Sequence, residues 1–201
     1  MSGHVRNNVD TDKFNDDAAL PYALRLMDFQ IAMQDVYDLF HDINSLLLAR
    51  GLKRLEEMLR PAAMSGLISD LLTASLANHA RSLTENGYFN GHPDLIVAGA
   101  YPNDRVQAGS EGIEIKSTRK KGGAVDTHGA RDQWMCVFVY EVDTETEPAR
   151  DRRPMSFTEV YLAHVGVDDF RSNPRGELGT RTATLHRDGV RKLREHWVYR
   201  V

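Results

Sequence analysis

Acid, base and apolar residues alternate along Glu111-Gly112-Ile113-Glu114-Ile115-Lys116-Ser117-Thr118, and the alternation has a chemical consequence. In an extended chain successive side chains point to opposite faces, so Ile113 and Ile115 share one face while Glu114 and Lys116 share the other. A carboxylate and an ammonium in the middle of an apolar strand are costly unless they are paired or liganded. A second apolar run, Leu95-Ile96-Val97, follows directly on His92-Pro93-Asp94. Gly99, Pro102-Asn103-Asp104 and Gly109 lie between the two runs and are turn formers. Pairing of the runs as neighbouring strands would set Asp94, at the mouth of the first, beside Glu114. Two carboxylates and an ammonium converging on one spot suit a hard cation with a proton-handling group next to it. The plainer reading of the same residues is an ion pair on a sheet face.

The pattern resembles the signature of the PD-(D/E)XK nuclease superfamily, which includes most type II restriction endonucleases. Pro93-Asp94 stands for its first half and, after nineteen intervening residues, Glu114-Ile115-Lys116 for its second. The resemblance covers roughly residues 64–142: a helix, the Pro-Asp strand, the Glu-x-Lys strand, then a helix and a further strand. It implies an α/β fold, restriction-endonuclease-like, in which a central mixed β-sheet is flanked by helices. It implies Mg²⁺ as cofactor, double-stranded DNA as substrate and phosphodiester hydrolysis as the reaction. The implied catalytic residues are Asp94, Glu114 and Lys116. Asp94, Glu114 and the backbone carbonyl of Ile115 are the implied ligands of one or two Mg²⁺, with Lys116 orienting or helping to deprotonate the attacking water. Asp70, the only carboxylate well inside the preceding helix, is a further ligand candidate, although a Glu is more usual there.

A sequence-specific type II endonuclease of a restriction-modification system, acting as a homodimer, is the expected function. A repair or resolvase-type nuclease is an alternative within that class. A non-catalytic DNA-binding or assembly module of the same fold, in which Glu114 and Lys116 merely pair, is the alternative outside it. No Walker-type Gly-x-x-x-x-Gly-Lys-Ser/Thr stretch occurs, which argues against an ATP-driven enzyme. There is no Gly-x-Ser-x-Gly elbow, and the sole cysteine is expected to be buried, so a serine or cysteine hydrolase has little support.

Candidate DNA contacts follow the signature. Ser117-Thr118-Arg119-Lys120-Lys121-Gly122-Gly123 is a basic, glycine-rich loop; it is either a phosphate contact through Arg119, Lys120 and Lys121 or an ordinary solvated turn. His128 and Gln133 are candidates by neighbourhood only. Charge is unevenly placed along a chain of net charge -4. Residues 1–100 hold 8 Lys and Arg against 13 Asp and Glu, whereas residues 171–201 hold 8 against 3. The basic end, with Arg175 and Arg181 among its candidates, either meets phosphates or is a solvated surface.

The elements that must position these groups are legible in outline. Residues 1–17 read as a frayed tail. Tyr22, Leu26, Phe29, Met33, Val36, Phe40, Ile43 and Leu47 recur at spacings of four and three, predicting a helix over 17–49. Its seam packs on the chain's own core or on a second copy, and Asp28, Asp35, Asp38 and Asp42 are expected to be solvated. A short helix over 52–59 and a longer one over 63–85 follow, the latter with Ile68, Leu71, Leu72, Leu76, His79 and Leu83 inward. Residues 126–133 read as a capped helical turn entering a strand at 134–140, with further strands at 157–167 and 180–185. An amphipathic helix is expected over 188–199, with Val190, Leu193 and Trp197 inward. The division expected is a helical region over 1–62 preceding a nuclease core over 63–201. A length of 201 residues suits one sizeable core, and 41% hydrophobic with 27% charged residues is ordinary globular composition. One cysteine, Cys136, excludes a disulfide framework and favours a reducing, cytoplasmic setting. Neither a signal peptide nor a membrane span is expected.

Overall fold

The computed structural model describes residues 5–123, 125–127, 129–172 and 182–201. The apolar run at 134–140 forms the centre of the molecule, because it is buried on both faces: Cys136, Phe138 and Tyr140 enter one core, Met135, Val137 and Val139 the other. This strand, β5 (Gln133–Glu141), belongs to a six-stranded mixed sheet with β1 (Leu83–Glu85), β2 (Leu95–Val97), β3 (Gly112–Thr118), β6 (Ser156–Val165) and β9 (Trp197–Arg200). The order across the sheet is β1-β2-β3-β5-β6-β9. Only β3 and β5 run parallel; every other neighbouring pair is antiparallel. A second sheet of three short strands, β4 (Asp126–Thr127), β7 (Phe170–Ser172) and β8 (Ala183–Leu185), lies in the order β4-β8-β7.

Two layers cover the large sheet. On one face α1 (Leu26–Ala49) and α3 (Pro61–His79) bury Phe29, Met33, Val36, Phe40, Ile68 and Leu72 against Ile113, Ile115, Cys136 and Phe138. On the other face Leu185 of the small sheet and Leu193 of α4 (Arg187–Glu195) pack on Met135, Val137 and Val139. A one-turn helix, α2 (Leu55–Met58), links α1 to α3. The architecture is therefore α/β with a mixed sheet between helical layers. Phe29, Met33, Val36 and Phe40 of the α1 seam, with Tyr22 and Leu26 beside them, join the same core as the sheet and so pack within the chain, whereas Ile43 and Leu47 lie outside it. Among the described residues no helix is long and apolar enough to cross a membrane.

Several local expectations are corrected. The first helix begins at Leu26 rather than near residue 17. Asp28 is buried rather than solvated: its carboxylate accepts the Arg25 backbone N–H at 2.8 Å and pairs with the Arg25 guanidinium, closing the helix start. Residues 5–17 are docked, with Asn15 donating to the carbonyls of Trp197 and Val198 and Phe14 edge-on to Tyr199. The third helix stops at His79, and Leu83–Glu85, read as its end, is strand β1. Residues 126–133 hold the short strand β4 and no helical turn among the described residues, so the parallel β3–β5 crossover is made without a helix. The last helix ends at Glu195, and Trp197 lies on β9.

Candidate active site

The β2–β3 pairing sets the site. Leu95 stands opposite Ile113, and continuing that antiparallel register places Asp94 opposite Glu114. Asp94 Oδ2 accepts the Ile115 N–H at 2.8 Å, so the side chain extends the ladder where the backbone of β2 has ended. Gly112 allows this approach: a Cβ there would lie 2.0 Å from the Leu95 carbonyl oxygen and 2.6 Å from the Pro93 ring. Glu114 and Lys116 share a face of β3, as the alternation requires.

Lys116 Nζ closes the group, at 2.6 Å from Glu114 Oε1 and 3.5 Å from Asp94 Oδ2. It also donates to the Ile115 carbonyl at 3.2 Å. His92 is the member that sequence reasoning missed: its Nδ1 lies 3.3 Å from Glu114 Oε2. The chain bends at Pro93 and Asp94 before β2 begins, so strand alternation gave no signal for His92. Asn86 is a second missed residue, and no spacing rule would have found it. It donates to the carbonyls of Pro93 and Val106 and accepts the Val106 N–H, tying the segment before Asp94 to the β2–β3 connection.

The two carboxylates are electrostatically unequal. Burial and the neighbouring Glu114 charge push Asp94 above the ordinary aspartate range, against the pull of Lys116. Burial would raise Glu114 as well, but His92 and Lys116 outweigh it and hold the group down at about 2. Burial would lower Lys116, yet Glu114 and Asp94 together raise it, so it stays an ammonium. Glu114 is thus a fixed anion and Asp94 the first of the pair to take a proton.

The group opens into a cleft of about 640 Å³ between α3 and the exit from β3. Asp94, Ile115 and Lys116 line its floor, and Arg119 and Lys120 its rim. Its far wall is the first half of α3, where Pro61, Ala62, Ser65, Gly66 and Ser69 are small or lie on the first turn. Ser117 Oγ donates to the Ser65 carbonyl at 2.8 Å and fixes this helix to β3. One side of the helix, from Pro61 to Thr73, therefore faces the cleft. Asp70 is exposed on the same wall and lines the cleft with Asp94.

The remaining candidates are dispersed. Lys121 is exposed on the loop beyond the cleft, and Gln133 is buried at the start of β5, away from the cleft lining. His128, Arg175 and Arg181 lie outside the described residues. Among the described residues no cluster of three or more His, Cys, Asp and Glu side chains is gathered as a ready metal site; Lys116 instead sits between the two carboxylates. Compared with known proteins, the chain matches no family model, no curated protein and no solved structure.

Proposed function

We propose that this chain is a Mg²⁺-dependent endonuclease that hydrolyses DNA phosphodiester bonds, of the restriction-endonuclease-like kind. One observation carries the reading: Asp94 meets Glu114 and Lys116 across the β2–β3 connection, and Asp94 and Lys116 line an open cleft with Arg119 and Lys120, with Glu114 buried behind them. The donors fit a hard divalent cation, being two carboxylates and the Ile115 carbonyl, all oxygen. The strain on Asp94, raised by burial and by Glu114, is also what a cation would relieve. When bound, Mg²⁺ supplies Lewis acidity toward a phosphoryl oxygen and toward water. Glu114 and Asp94 would hold it, and Lys116, displaced from between them, would orient the attacking water and offset charge developing on phosphorus-bound oxygens. As an ammonium, Lys116 acts by charge and hydrogen bonding rather than as a base. Arg119 and Lys120 at the cleft favour the entry of a phosphodiester. Two strand cuts would suit a homodimer, and sequence-specific restriction is the form of the activity proposed.

The closed contact of Lys116 with Glu114 favours a second reading, a non-catalytic module of the same fold in which the triad is a structural ion pair. Plasmid and phage DNA incubated with the protein in Mg²⁺ or EDTA separates the two. Discrete metal-dependent fragments, lost in Lys116→Ala, Asp94→Ala and Glu114→Ala, are expected. Cleavage surviving in any of the three overturns the residue assignment. No cutting together with no thermal shift by Mg²⁺ or Ca²⁺ selects the structural pair.

A further inference from the structure

Basic residues also gather outside the cleft. Helix α4 carries Arg187, Arg191 and Arg194 at spacings of four and three, one stripe on the face opposite buried Gly189 and Leu193. With Arg200 of β9 they line a groove of about 530 Å³. The Arg200 guanidinium lies over the Trp197 ring, 5.3 Å from its centre, and donates to the Arg194 carbonyl at 3.2 Å. An aromatic rest and a backbone anchor hold it in place. Arg191 is matched by carboxylates, with Asp188 at 3.1 Å and Glu195 at 3.8 Å. Among the described residues neither Arg187 nor Arg194 has such a partner. The cleft and this groove also adjoin. Gly122 donates its N–H to Glu159 at 3.2 Å, which pins the basic loop on β6. There it abuts α4, since a Cβ on Gly122 would meet Arg194 Cδ and Nη1 at 3.9 Å. The loop that carries Arg119, Lys120 and Lys121 thus leads from the cleft to Arg194 on the helix, with Glu159 at the junction.

We infer that the α4–β9 groove is a second nucleic-acid contact, in which Arg187, Arg194 and Arg200 take backbone phosphates of the duplex whose scissile bond enters the cleft. The inference rests on the nuclease reading for that last clause only. From Arg187 to Arg194 the helix rises about 10 Å, which spans roughly three phosphate steps of one strand along the duplex axis. Four arginines line the groove against one carboxylate, Glu195, and one apolar residue, Val190, so its ligand chemistry is anionic.

Anisotropy of a fluorescein-labelled duplex with the full chain in EDTA, at roughly 50–200 mM salt, tests this. Arg187→Gln/Arg194→Gln should weaken binding about 10-fold or more at the low-salt end. It should also lower the slope of log K against log salt by about 1.8, two phosphates' worth. Arg191→Gln, whose charge is already matched, should change binding less. An unchanged affinity and slope in the double variant overturns the inference, as does a wild-type chain that binds no duplex. Cleavage in Mg²⁺ keeps the two readings apart. Cutting by the wild type with binding indifferent to the double variant removes the groove and leaves the nuclease. Arginine-dependent binding without any cutting removes the nuclease and leaves the groove.

Discussion

Asp94 stands at a point where burial and a like charge work against the stability of the fold. Its carboxylate is raised by burial and by Glu114, so the folded state binds its proton more tightly than the unfolded chain does. That penalty is present when Asp94 is ionised and is relieved as pH falls through its raised folded value. Glu114 has the opposite sign: held at about 2, it contributes stability that is full above the unfolded glutamate range and lost as pH falls from about 4.5 toward 2. Asp94→Asn keeps an acceptor for the Ile115 N–H while removing the repelled charge. The metal-free variant should therefore melt higher than wild type at pH 7, with the advantage shrinking in acid. It should also lose the Mg²⁺-induced shift, which for wild type at a hundred times the dissociation constant is about 2.7 kcal/mol. Melting curves with and without Mg²⁺ check both, and a variant less stable at pH 7 would sink the argument. Asp94, Glu114 and Lys116 were legible because strand alternation and a turn-rich connection suffice to bring them together. His92 and Asn86 were not, since their roles depend on how the connection folds back.

At the scale of elements, the site depends on how closely β2 and β3 approach. Gly112 has φ +154° and no room for a Cβ. Gly112→Ala should force the strands apart, costing about 2–4 kcal/mol and moving Asp94 away from Glu114, so the Mg²⁺ response should be lost together with stability. An alanine variant of wild-type melting temperature and metal response would contradict this. The start of α1 offers a test away from the site: Asp28→Ala removes a buried cap and should cost about 2 kcal/mol by denaturant unfolding, leaving the metal response of the folded protein intact. The apolar period announced α1 and α3 but misplaced their ends. Leu83 continues the helical period of α3, and nothing at Ala80-Arg81 is a Gly or Pro. The helix stops because the next residues pair with β2, Leu83 opposite Val97 and Glu85 opposite Leu95. Trp197 fits the α4 stripe equally well and is drawn instead to Tyr161 across β6–β9. Long-range strand pairing overrode a local period in both places.

Across the whole molecule, the sheet has two edges, β1 near the cleft and β9 at the far side, and the N-terminal segment covers the second. Acidic, polar residues made that segment read as a tail, because its anchoring atoms are polar. Phe14 forms a bridge to Tyr199 with its ring 5.0 Å away, Asn15 holds the carbonyls of Trp197 and Val198, and Asn7 donates to Met155. In the small second sheet β8 falls within the strand expected over 180–185, whereas β4 and β7 escaped notice, since strands of two or three residues carry little alternation. An exposed edge strand is a template for pairing with another chain, and a docked segment removes it. Deleting residues 1–17 should therefore do two things. It should lower stability by about 2–4 kcal/mol, one aromatic pair and a few hydrogen bonds. It should also bring on concentration-dependent association through the bared side of β9. The cleft lies between α3 and β3, away from that edge, so whatever metal-dependent cutting the full chain performs should persist in the truncated chain below its melting temperature. Denaturation curves and light scattering across a dilution series measure the two effects. An unchanged unfolding free energy with a monomer at every concentration would show the segment to be a bystander. Loss of cutting in a well-folded truncate would mean that the two edges of the sheet are coupled.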